Sequence, residues 1–326
     1  MFPTFSRPGI NRFAEARADA DVIAKAMEDP RTRILMIREE HAPVRGASLV
    51  WVSPSAVPQD AQLSLLGRTD LAPEQRALAD SGTSASISAD PSGASGDANL
   101  LLLAEVAAHT EAPEGSEWQT LRVIGSLLHA EDSSAFVAGL ALSQWHQANR
   151  FSPHDGSMTS LTQAGWVQRD ETGREIFPRM DPAVIVAVHN ADDSKILLGR
   201  NAAWPDDRFS LFAGFVELGE SLEATVAREV FEESGIAADR VQYVASQPWP
   251  FPRSIMIAFE CVAANEDDAR ADGEEIVEVR WFTRSELLAG DGFALPGPTS
   301  IARFVIERWI ARGADAEGRD DEGQPE

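Results

Sequence analysis

Hydrophobic residues in the first part of the chain form several short apolar runs and one longer stretch with helical spacing. The runs predict β-strands, and residues 132–151 predict a helix. We therefore assign residues 1–130 to an N-terminal α/β domain. Within it, residues 81–98 are rich in Ser, Gly, Ala and Asp and predict a flexible insertion. The predicted strands of this domain are 32–37, 47–52 and 99–106.

Residues 131–180 comprise the predicted helix and a short turn-rich connector. Beyond them strand-like runs lie closer together, with predicted helices at 222–234 and 299–313. This mixture predicts an α/β/α sandwich with a mixed sheet over residues 181–312. The polar, acidic residues 313–326 predict a disordered tail. The predicted strands of the sandwich are 183–189, 195–199, 209–216, 241–247, 254–263 and 276–282.

The chain carries 28 Lys and Arg against 52 Asp and Glu, which gives a formal net charge of −24. This acidity disfavours broad electrostatic binding to nucleic-acid backbones or to anionic membranes. A phosphate-bearing ligand would therefore need a cation beside it. The sequence has no apolar run near the roughly 18 residues of a membrane span and no secretory signal pattern. Cys261 is the single cysteine, which excludes intrachain disulfides, and we expect a cytoplasmic protein.

Three glutamates, Glu229, Glu232 and Glu233, share one face of the predicted helix 222–234 at i, i+3 and i+4 spacing. The last turn of a helix carries partial negative charge, so carboxylates there favour a nearby cation. Carboxylate oxygens suit Mg²⁺ or Mn²⁺, and Arg228 has the donors to orient a carboxylate through two hydrogen bonds. Taken alone, the three glutamates are also typical of a solvated acidic face.

The glutamates belong to a longer pattern of glycine, five residues, glutamate, seven residues, then Arg-Glu-apolar-x-Glu-Glu-x-Gly-apolar. Chance agreement with all its places is on the order of one in a billion per starting position. The segment resembles the Nudix box. The resemblance implies a Nudix hydrolase, which cleaves a nucleoside diphosphate linked to another group by metal-assisted attack of water on phosphorus. The matching positions are Gly214, Glu220, Arg228, Glu229, Val230, Glu232, Glu233, Gly235 and Ile236.

A stiff aromatic segment, SQPWPFPRS at 246–254, begins ten residues after this pattern ends. Prolines preset φ, so a loop of this kind offers a pre-organised wall against which a flat ring stacks. A rigid turn with its aromatic rings buried is the alternative. The segment resembles the signature of the NADH pyrophosphatase branch of the Nudix family. That resemblance implies hydrolysis of NAD(H) to nicotinamide mononucleotide and AMP, and bacterial members of the branch also remove NAD caps from RNA.

The resemblance further implies roles for individual residues and a homodimer. Arg228, Glu229, Glu232 and Glu233 would form the catalytic group. The implied metal ligands are Glu229, Glu232, Glu233, Glu275 and the backbone carbonyl of Ala213. The implied substrate-binding residues are Gln247, Pro248, Trp249, Pro250, Phe251, Pro252, Arg253, Ser254, Phe177 and Ala302.

Many relatives carry a four-cysteine zinc ribbon between their two domains, and this chain departs from that pattern. Ser152 and Asp155 stand at the first two cysteine places, and no cysteine follows in the connector. We therefore predict a degenerate ribbon without zinc. Residual ligation by His154 and Asp155 is the alternative. We expect packing of Phe151, Trp166 and Phe177 to hold the segment together.

Three other functions remain open from the sequence. The same site would serve NAD-capped RNA as its main substrate, or ADP-ribose-like nucleoside diphosphates as a sister Nudix activity. A Nudix-fold sensor without catalysis belongs to another class of protein. Such sensors usually lose carboxylates of the box, whereas this chain keeps them all.

Overall fold

The computed structural model describes residues 2–71 and 98–320, with side chains up to residue 313. The chain divides into two compact units. The first unit is Met1–Met180 together with Trp249–Arg253, and the second is Asp181–Pro248 together with Ser254–Glu326. The predicted flexible insertion at 81–98 lies outside the described residues, apart from residue 98.

The first unit contains two three-stranded sheets with the strand orders β1-β5-β4 and β3-β2-β6. The strands are β1 (Arg33–Ile37), β2 (His41–Arg45), β3 (Ser48–Leu49), β4 (Gln62–Arg68), β5 (Leu100–Glu105) and β6 (Glu117–Thr120). The helices are α1 (Val22–Glu28), α2 (Leu121–Ile124) and α3 (Ala130–Ala148). Strands β1 and β5 are parallel, with Leu35 opposite Leu103. Both are runs of buried aliphatic residues, because the two faces of a parallel pair are covered.

Helix α3 lies close to β1 and β5 because one of its residues is a glycine. A Cβ atom at Gly139 would stand 3.0 Å from Cδ1 of Ile37 and 3.5 Å from Cδ1 of Leu103. The contact buries Phe136 and Leu140 of the helix completely. Helix α3 thus contributes to the core of the first unit, and the predicted domain division after residue 130 stays a prediction.

The degenerate ribbon is a third small sheet, whose strands are β7 (Ser160–Thr162), β8 (Val167–Arg169) and β9 (Glu175–Ile176). Its aromatic residues do not pack as predicted. Phe151 is 61% exposed and Phe177 is 58% exposed, so burial of these two rings does not hold the ribbon. Trp166 does anchor it, because its indole Nε1 donates to the carbonyl of Leu65 at 2.6 Å.

Polar contacts close the turns of the ribbon where buried rings were expected. The hydroxyl of Ser152 donates to Asp170 Oδ2 at 3.0 Å. The other carboxylate oxygen of Asp170 accepts from the backbone N–H groups of Thr172 and Arg174 at 3.0 and 2.9 Å. Short side chains with many hydrogen bonds therefore replace the large rings of the prediction.

The second unit contains one six-stranded mixed sheet in the order β13-β14-β10-β11-β15, with β12 also paired to β10. The strands are β10 (Asp181–His189), β11 (Lys195–Asn201), β12 (Phe212–Phe215), β13 (Ala238–Trp249), β14 (Ser254–Ala263) and β15 (Ile276–Thr283). The helices are α4 (Leu222–Ser234), α5 (Arg284–Ala289) and α6 (Ile301–Asp320). Strand β10 runs parallel to β14 and antiparallel to β11 and β12.

Side chains of β10 alternate between two hydrophobic clusters on opposite faces of this sheet. Val184 and Val186 pack in one cluster with Val226 of α4. Ile185 packs in the other with Val305 of α6. The alternation follows from the two-residue period of a strand. The predicted α/β/α sandwich with a mixed sheet is confirmed.

A hydrogen-bonded cap and a left-handed glycine set the two ends of helix α4. The hydroxyl of Ser221 accepts from the N–H of Ala224 at 3.2 Å and caps the first turn. Gly235 follows the last turn with φ of 70°, a left-handed conformation that favours glycine. The sequence predicted this helix with the same bounds, because both signals are local.

Helix α6 differs from its prediction at the C-terminal end. Its backbone is helical through Asp320, although the sequence predicted disorder over 313–326. Acidic composition predicts disorder but does not by itself exclude a helical backbone. Residues 321–326 lie outside the described chain. Among the described helices, none combines the length and apolar character needed to cross a membrane.

Candidate active site

The acidic cluster lies on helix α4 against strand β12. Glu233 is 6% exposed, whereas the side chains of Glu229 and Glu232 are 12% and 57% exposed. Gly214 of β12 leaves space for one of them, because a Cβ atom there would stand 2.0 Å from the carboxylate carbon of Glu229. The close approach of the Glu229 carboxylate therefore explains why the sequence pattern has a glycine at position 214.

Arg228 joins the members of the cluster through a fork of hydrogen bonds. Its Nε and Nη2 donate to the two carboxylate oxygens of Glu220 at 2.8 and 2.9 Å. Its Nη1 donates to Glu229 Oε1 at 2.7 Å and to Glu232 Oε2 at 3.0 Å, and Nη2 also donates to the carbonyl of Phe215 at 3.0 Å. The bonds from Arg228 lower the pKa of Glu220 to about 2. The same contacts, that with Glu220 first, raise the pKa of Arg228 above its usual range.

Glu233 has the opposite electrostatics. Burial, followed by the nearby charges of Glu229 and Glu275, raises the pKa of its carboxyl to about 8. One hydrogen bond opposes this shift, because the N–H of Ala213 donates to Glu233 Oε2 at 3.2 Å. Burial also raises the pKa of Glu229, despite its bond with Arg228. The buried end of the cluster is therefore short of positive charge.

The carbonyl of Ala213 lies on the same edge of β12 as this N–H group. In an extended strand the N–H and C=O of one residue point to the same side, and the N–H of Ala213 points to Glu233. Two residues along, the carbonyl of Phe215 also points to this edge, because it accepts from Arg228. Backbone oxygens and carboxylates thus line one edge together.

Glu275 reaches the cluster from the turn that precedes β15. Its charge raises the pKa of both Glu229 and Glu233, and its Oε1 accepts from Asn201 Nδ2 at 3.2 Å. Asp272 holds the turn, since its carboxylate accepts the backbone N–H of Glu275 at 2.8 Å. Asp272 is not among the residues predicted from the sequence, although the Asp-Gly pair that it forms with Gly273 indicates a turn.

The donor set fits a divalent cation, although its members are not yet gathered around one point. Within the described part of the chain, no three His, Cys, Asp or Glu side chains converge closely enough to hold a metal ion. Glu229 and Glu232 are directed to Arg228 instead. All candidate ligands are oxygens, which Mg²⁺ and Mn²⁺ prefer. A bound cation would relieve the repulsion that raises the pKa of Glu233.

The ends of the aromatic segment lie inside the second unit. Gln247 is fully buried, and its Nε2 donates to the carbonyl of Thr299 at 2.9 Å. Ser254 is 8% exposed and opens strand β14 opposite Asp181. Both side chains are therefore part of the packed structure, and their proposed contact with substrate stays a prediction.

The middle of the segment, Trp249–Arg253, belongs to the first unit. Trp249 and Phe251 pack against the hydrophobic core of that unit and against each other, with ring centroids 4.9 Å apart at an interplanar angle of 76°. Pro252 and Arg253 line a cavity of about 150 Å³ beside Trp145 of α3. This packing is that of a rigid turn with its rings against the protein, and the contact of these residues with substrate stays a prediction.

The two remaining predicted substrate residues differ strongly in exposure. Phe177 is 58% exposed in the first unit. Ala302 of α6 is 1% exposed and packs in a hydrophobic cluster of the second unit, together with Ile301 and Val305 of the same helix. A methyl group buried in this way supports the fold.

A NUDIX domain model matches residues 179–303 of the chain. A protein of Mycobacterium bovis named NAD-capped RNA hydrolase NudC is 45% identical over 203 residues, which are 59% of this chain and 64% of that protein. A protein of Homo sapiens named NAD-capped RNA hydrolase NUDT12 is 37% identical over 203 residues, 57% of this chain and 44% of that protein. The chain thus covers less than two thirds of the length of these relatives.

Among solved structures, a NUDIX hydrolase from Nitrosomonas europaea is 22% identical and has a TM-score of 0.37. The match covers 54% of this chain and 94% of that one. The domain match includes helix α4 with its acidic cluster, since residues 179–303 contain Leu222–Ser234.

Proposed function

Because a NUDIX domain model matches residues 179–303, we propose that the protein is a Nudix hydrolase that depends on a metal ion and cleaves the pyrophosphate bond of NAD(H). The products are AMP and nicotinamide mononucleotide, in its reduced or oxidised form. The observation that carries the proposal is the buried carboxyl of Glu233, whose pKa of about 8 marks a concentration of negative charge without a matching cation. The names of the relatives support a dinucleotide as substrate.

Nudix hydrolases generally depend on a divalent metal ion, and we propose Mg²⁺ or Mn²⁺ for this protein. When bound, such an ion neutralises charge on the pyrophosphate and makes water more acidic. The proposed ligands share oxygen donors and lie on helix α4, on β12 and before β15. They are Glu229, Glu232, Glu233, Glu275 and the carbonyl of Ala213.

The protein's own residues orient these donors and move the proton. The two bonds from Arg228 to Glu220 fix the guanidinium group, which in turn positions Glu229 and Glu232. A carboxylate whose pKa lies above its usual value accepts a proton from water more readily near neutral pH. Burial gives this property to Glu229 and Glu233.

The direct test is to incubate the protein with NADH and Mn²⁺ and to separate the products by chromatography. We expect AMP and reduced nicotinamide mononucleotide in equal amounts, and no product in the presence of a chelator. Glu223→Gln is a matched control, because Glu223 is exposed in the first turn of α4 and should leave turnover unchanged. Cleavage of ADP-ribose without cleavage of NADH would move the assignment to a sister Nudix activity. Cleavage of neither would favour a non-catalytic sensor.

NAD-capped RNA is the second candidate substrate, and the names of the relatives favour it. The net charge of −24 acts against tight binding of an RNA backbone. Turnover of free NAD⁺ and of an NAD-capped oligonucleotide, compared at the same salt concentration, ranks the two substrates. We expect the free dinucleotide to be cleaved at least as efficiently.

A homodimer and a cytoplasmic location complete the proposal. The resemblance to the NADH pyrophosphatase branch supports the dimer, and the single buried Cys261 is compatible with a reducing compartment. Light scattering coupled to size-exclusion chromatography measures the oligomeric state, and a mass near that of one chain would contradict the homodimer.

A further inference from the structure

The turn that precedes strand β15 is closed by the carboxylate of Asp272. Its Oδ1 accepts the backbone N–H groups of Glu274 and Glu275 at 2.5 and 2.8 Å, and its Oδ2 accepts that of Ile276 at 3.1 Å. The N–H of Gly273 also donates to the carbonyl of Ile276 at 2.9 Å. An aspartate that accepts hydrogen bonds from the residues just after it fixes a turn in one conformation. Asp272 therefore sets the course of the backbone through Glu275.

Residues 201–203, at and just after the end of strand β11, fix Glu275 from the other side. The carbonyl of Glu275 accepts the N–H of Ala202 at 2.8 Å, and its side-chain Oε1 accepts from Asn201 Nδ2 at 3.2 Å. The side chain of Asn201 is itself oriented, because its Oδ1 accepts the N–H of Ala203 at 2.9 Å. The backbone and the side chain of Glu275 are thus held by different partners.

The pairing of β11 with β15 is irregular beside this turn. Asn201 lies opposite Ile276 and Arg200 lies opposite Glu278, which leaves Val277 as an extra residue on β15. A β-bulge of this kind bends its strand and changes the direction of the neighbouring side chains. The direction in which Glu275 leaves the sheet therefore depends on a bulge after it and on the Asp272 turn before it.

The turn lies against the helix that carries the acidic cluster. Ile276 packs in one hydrophobic cluster with Val230 of α4. Burial is the largest cause of the raised pKa of Glu229 and of Glu233, and the charge of Glu275 contributes to both. Because like charges repel, the position of Glu275 beside two other carboxylates depends on the backbone that carries it.

We propose that Asp272 is a positioning residue for the cation site, which acts by holding the carboxylate of Glu275 beside those of Glu229 and Glu233. The inference rests on the proposed function, because that function requires a divalent cation at these carboxylates. A ligand that is fixed before the cation arrives loses less entropy on binding. Residues that orient metal ligands commonly lower metal affinity when they are replaced. Loss of the three hydrogen bonds to Asp272 should therefore weaken cation binding.

Isothermal titration calorimetry with Mn²⁺, in the absence of substrate, measures this effect. For Asp272→Ala we expect the dissociation constant of Mn²⁺ to rise about tenfold relative to the wild type. Because Asp272 acts through Glu275, the double variant Asp272→Ala/Glu275→Gln should bind Mn²⁺ no more weakly than Glu275→Gln alone. An unchanged dissociation constant in Asp272→Ala, or fully additive losses in the double variant, would overturn the proposal.

Two control variants separate the turn from local charge and from general stability. Glu274→Gln removes an exposed negative charge next to Glu275 but keeps the turn, because the bond to Asp272 comes from the backbone N–H of residue 274. Asp192→Ala opens a comparable turn at the opposite end of β11, where Asp192 accepts the N–H and the hydroxyl of Ser194 at 3.0 and 2.6 Å. Both controls should bind Mn²⁺ nearly as tightly as the wild type, since exposed charges are screened by salt. A loss in either control as large as that of Asp272→Ala would contradict the proposal.

Amide hydrogen exchange of the metal-free protein provides a readout that needs neither cation nor substrate. The N–H groups of residues 274–276 should exchange faster in Asp272→Ala than in the wild type, and at wild-type rates in Asp192→Ala. If Asp272→Ala does not fold, Asp272→Asn takes its place with a smaller expected effect, because the amide keeps one acceptor oxygen and loses the other. Equal exchange in the wild type and in the Asp272 variant would contradict the proposal.

Hydrolysis of NADH separates this inference from the proposed function. If the wild-type protein binds Mn²⁺ but does not cleave NADH, the proposed function fails, and the titrations still decide the role of Asp272. If the wild-type protein cleaves NADH with Mn²⁺ and Asp272→Ala needs the same Mn²⁺ concentration for half-maximal turnover, the inference fails and the proposed function stands. Absence of Mn²⁺ binding by the wild-type protein would overturn the inference directly.

Discussion

Glu233 in the acidic cluster and Asp170 in the degenerate ribbon are buried almost equally, at 6% and 5% exposed, yet their pKa values move in opposite directions. Burial and neighbouring carboxylates raise the pKa of Glu233 to about 8. Hydrogen bonds, that from the Thr172 hydroxyl first, lower the pKa of Asp170 to about 2. Burial is thus the largest influence on the pKa of Glu233, whereas at Asp170 the hydrogen bonds to the carboxylate outweigh the effect of burial.

The two carboxylates also differ in the groups that surround them. Asp170 accepts hydrogen bonds from Ser152, from Arg174 and from both the hydroxyl and the backbone N–H of Thr172. Glu233 accepts one from the N–H of Ala213, and its neighbours are other acids. A carboxylate that accepts several hydrogen bonds stabilises the local structure, whereas a carboxylate surrounded by other carboxylates is suited to binding a cation.

The largest expected effect follows from removing the charge at the buried end of the cluster. Glu233→Gln keeps the shape of the side chain and its bond from Ala213, but removes a metal ligand and a proton acceptor. We expect hydrolysis of NADH to fall roughly 10²- to 10⁴-fold, with an unchanged circular-dichroism spectrum. Glu223→Gln serves as the control, and activity within about threefold of wild type in Glu233→Gln would remove this residue from the proposed mechanism.

A smaller effect is expected on the pH dependence of stability. The pKa of Glu233 is about 8 in the folded protein against an ordinary value of 4.5. In the metal-free protein its stabilising contribution is therefore complete below pH 4.5 and is lost as the pH rises to about 8. Mg²⁺ binds the ionised form, so it should raise Tm more at about pH 9 than at about pH 5, corresponding to about 2–3 kcal/mol near saturation.

Thermal unfolding with and without Mg²⁺ at both pH values measures this difference. In Glu233→Gln the pH dependence of the Mg²⁺ effect should be much weaker, because residue 233 no longer titrates. An equal increase in Tm at both pH values for the wild-type protein would show that Glu233 does not control cation binding.

The smallest effect is expected at the ribbon. Asp170→Ala removes the acceptor that joins Ser152 to the following turn, and we expect Tm to fall by roughly 5 °C. Because the pKa of Asp170 is lowered to about 2, its stabilising contribution is present above pH 3.8 and is lost as the pH falls towards 2. Hydrolysis of NADH at low temperature should stay near the wild-type rate.

Metal analysis of the wild-type protein complements this variant. The predicted absence of zinc implies far less than one zinc ion per chain, and a chelator should leave the stability of the ribbon unchanged. An unaltered Tm in Asp170→Ala, or zinc near one ion per chain, would contradict the view that hydrogen bonds hold this segment.

The sequence alone determined the acidic cluster and its helix. The spacing of Glu229, Glu232 and Glu233 places them on one face through the helical period, and Ser221 and Gly235 set the ends through hydrogen bonds and backbone conformation within a few residues. The α/β/α sandwich was also predictable, because alternating buried residues in β10 require cover on both faces of the sheet. All these signals act over short distances along the chain.

Only the tertiary structure decided how the rings of the aromatic segment pack. The rings of Trp249 and Phe251 meet Phe5 and Arg122, which lie more than a hundred residues away in the sequence. The local sequence did not indicate that the side chain of Ala302 is buried, nor that the ring of Phe177 is exposed. A sequence shows which side chains are able to pack or bind, but the neighbours that cover them are set by contacts between distant parts of the chain.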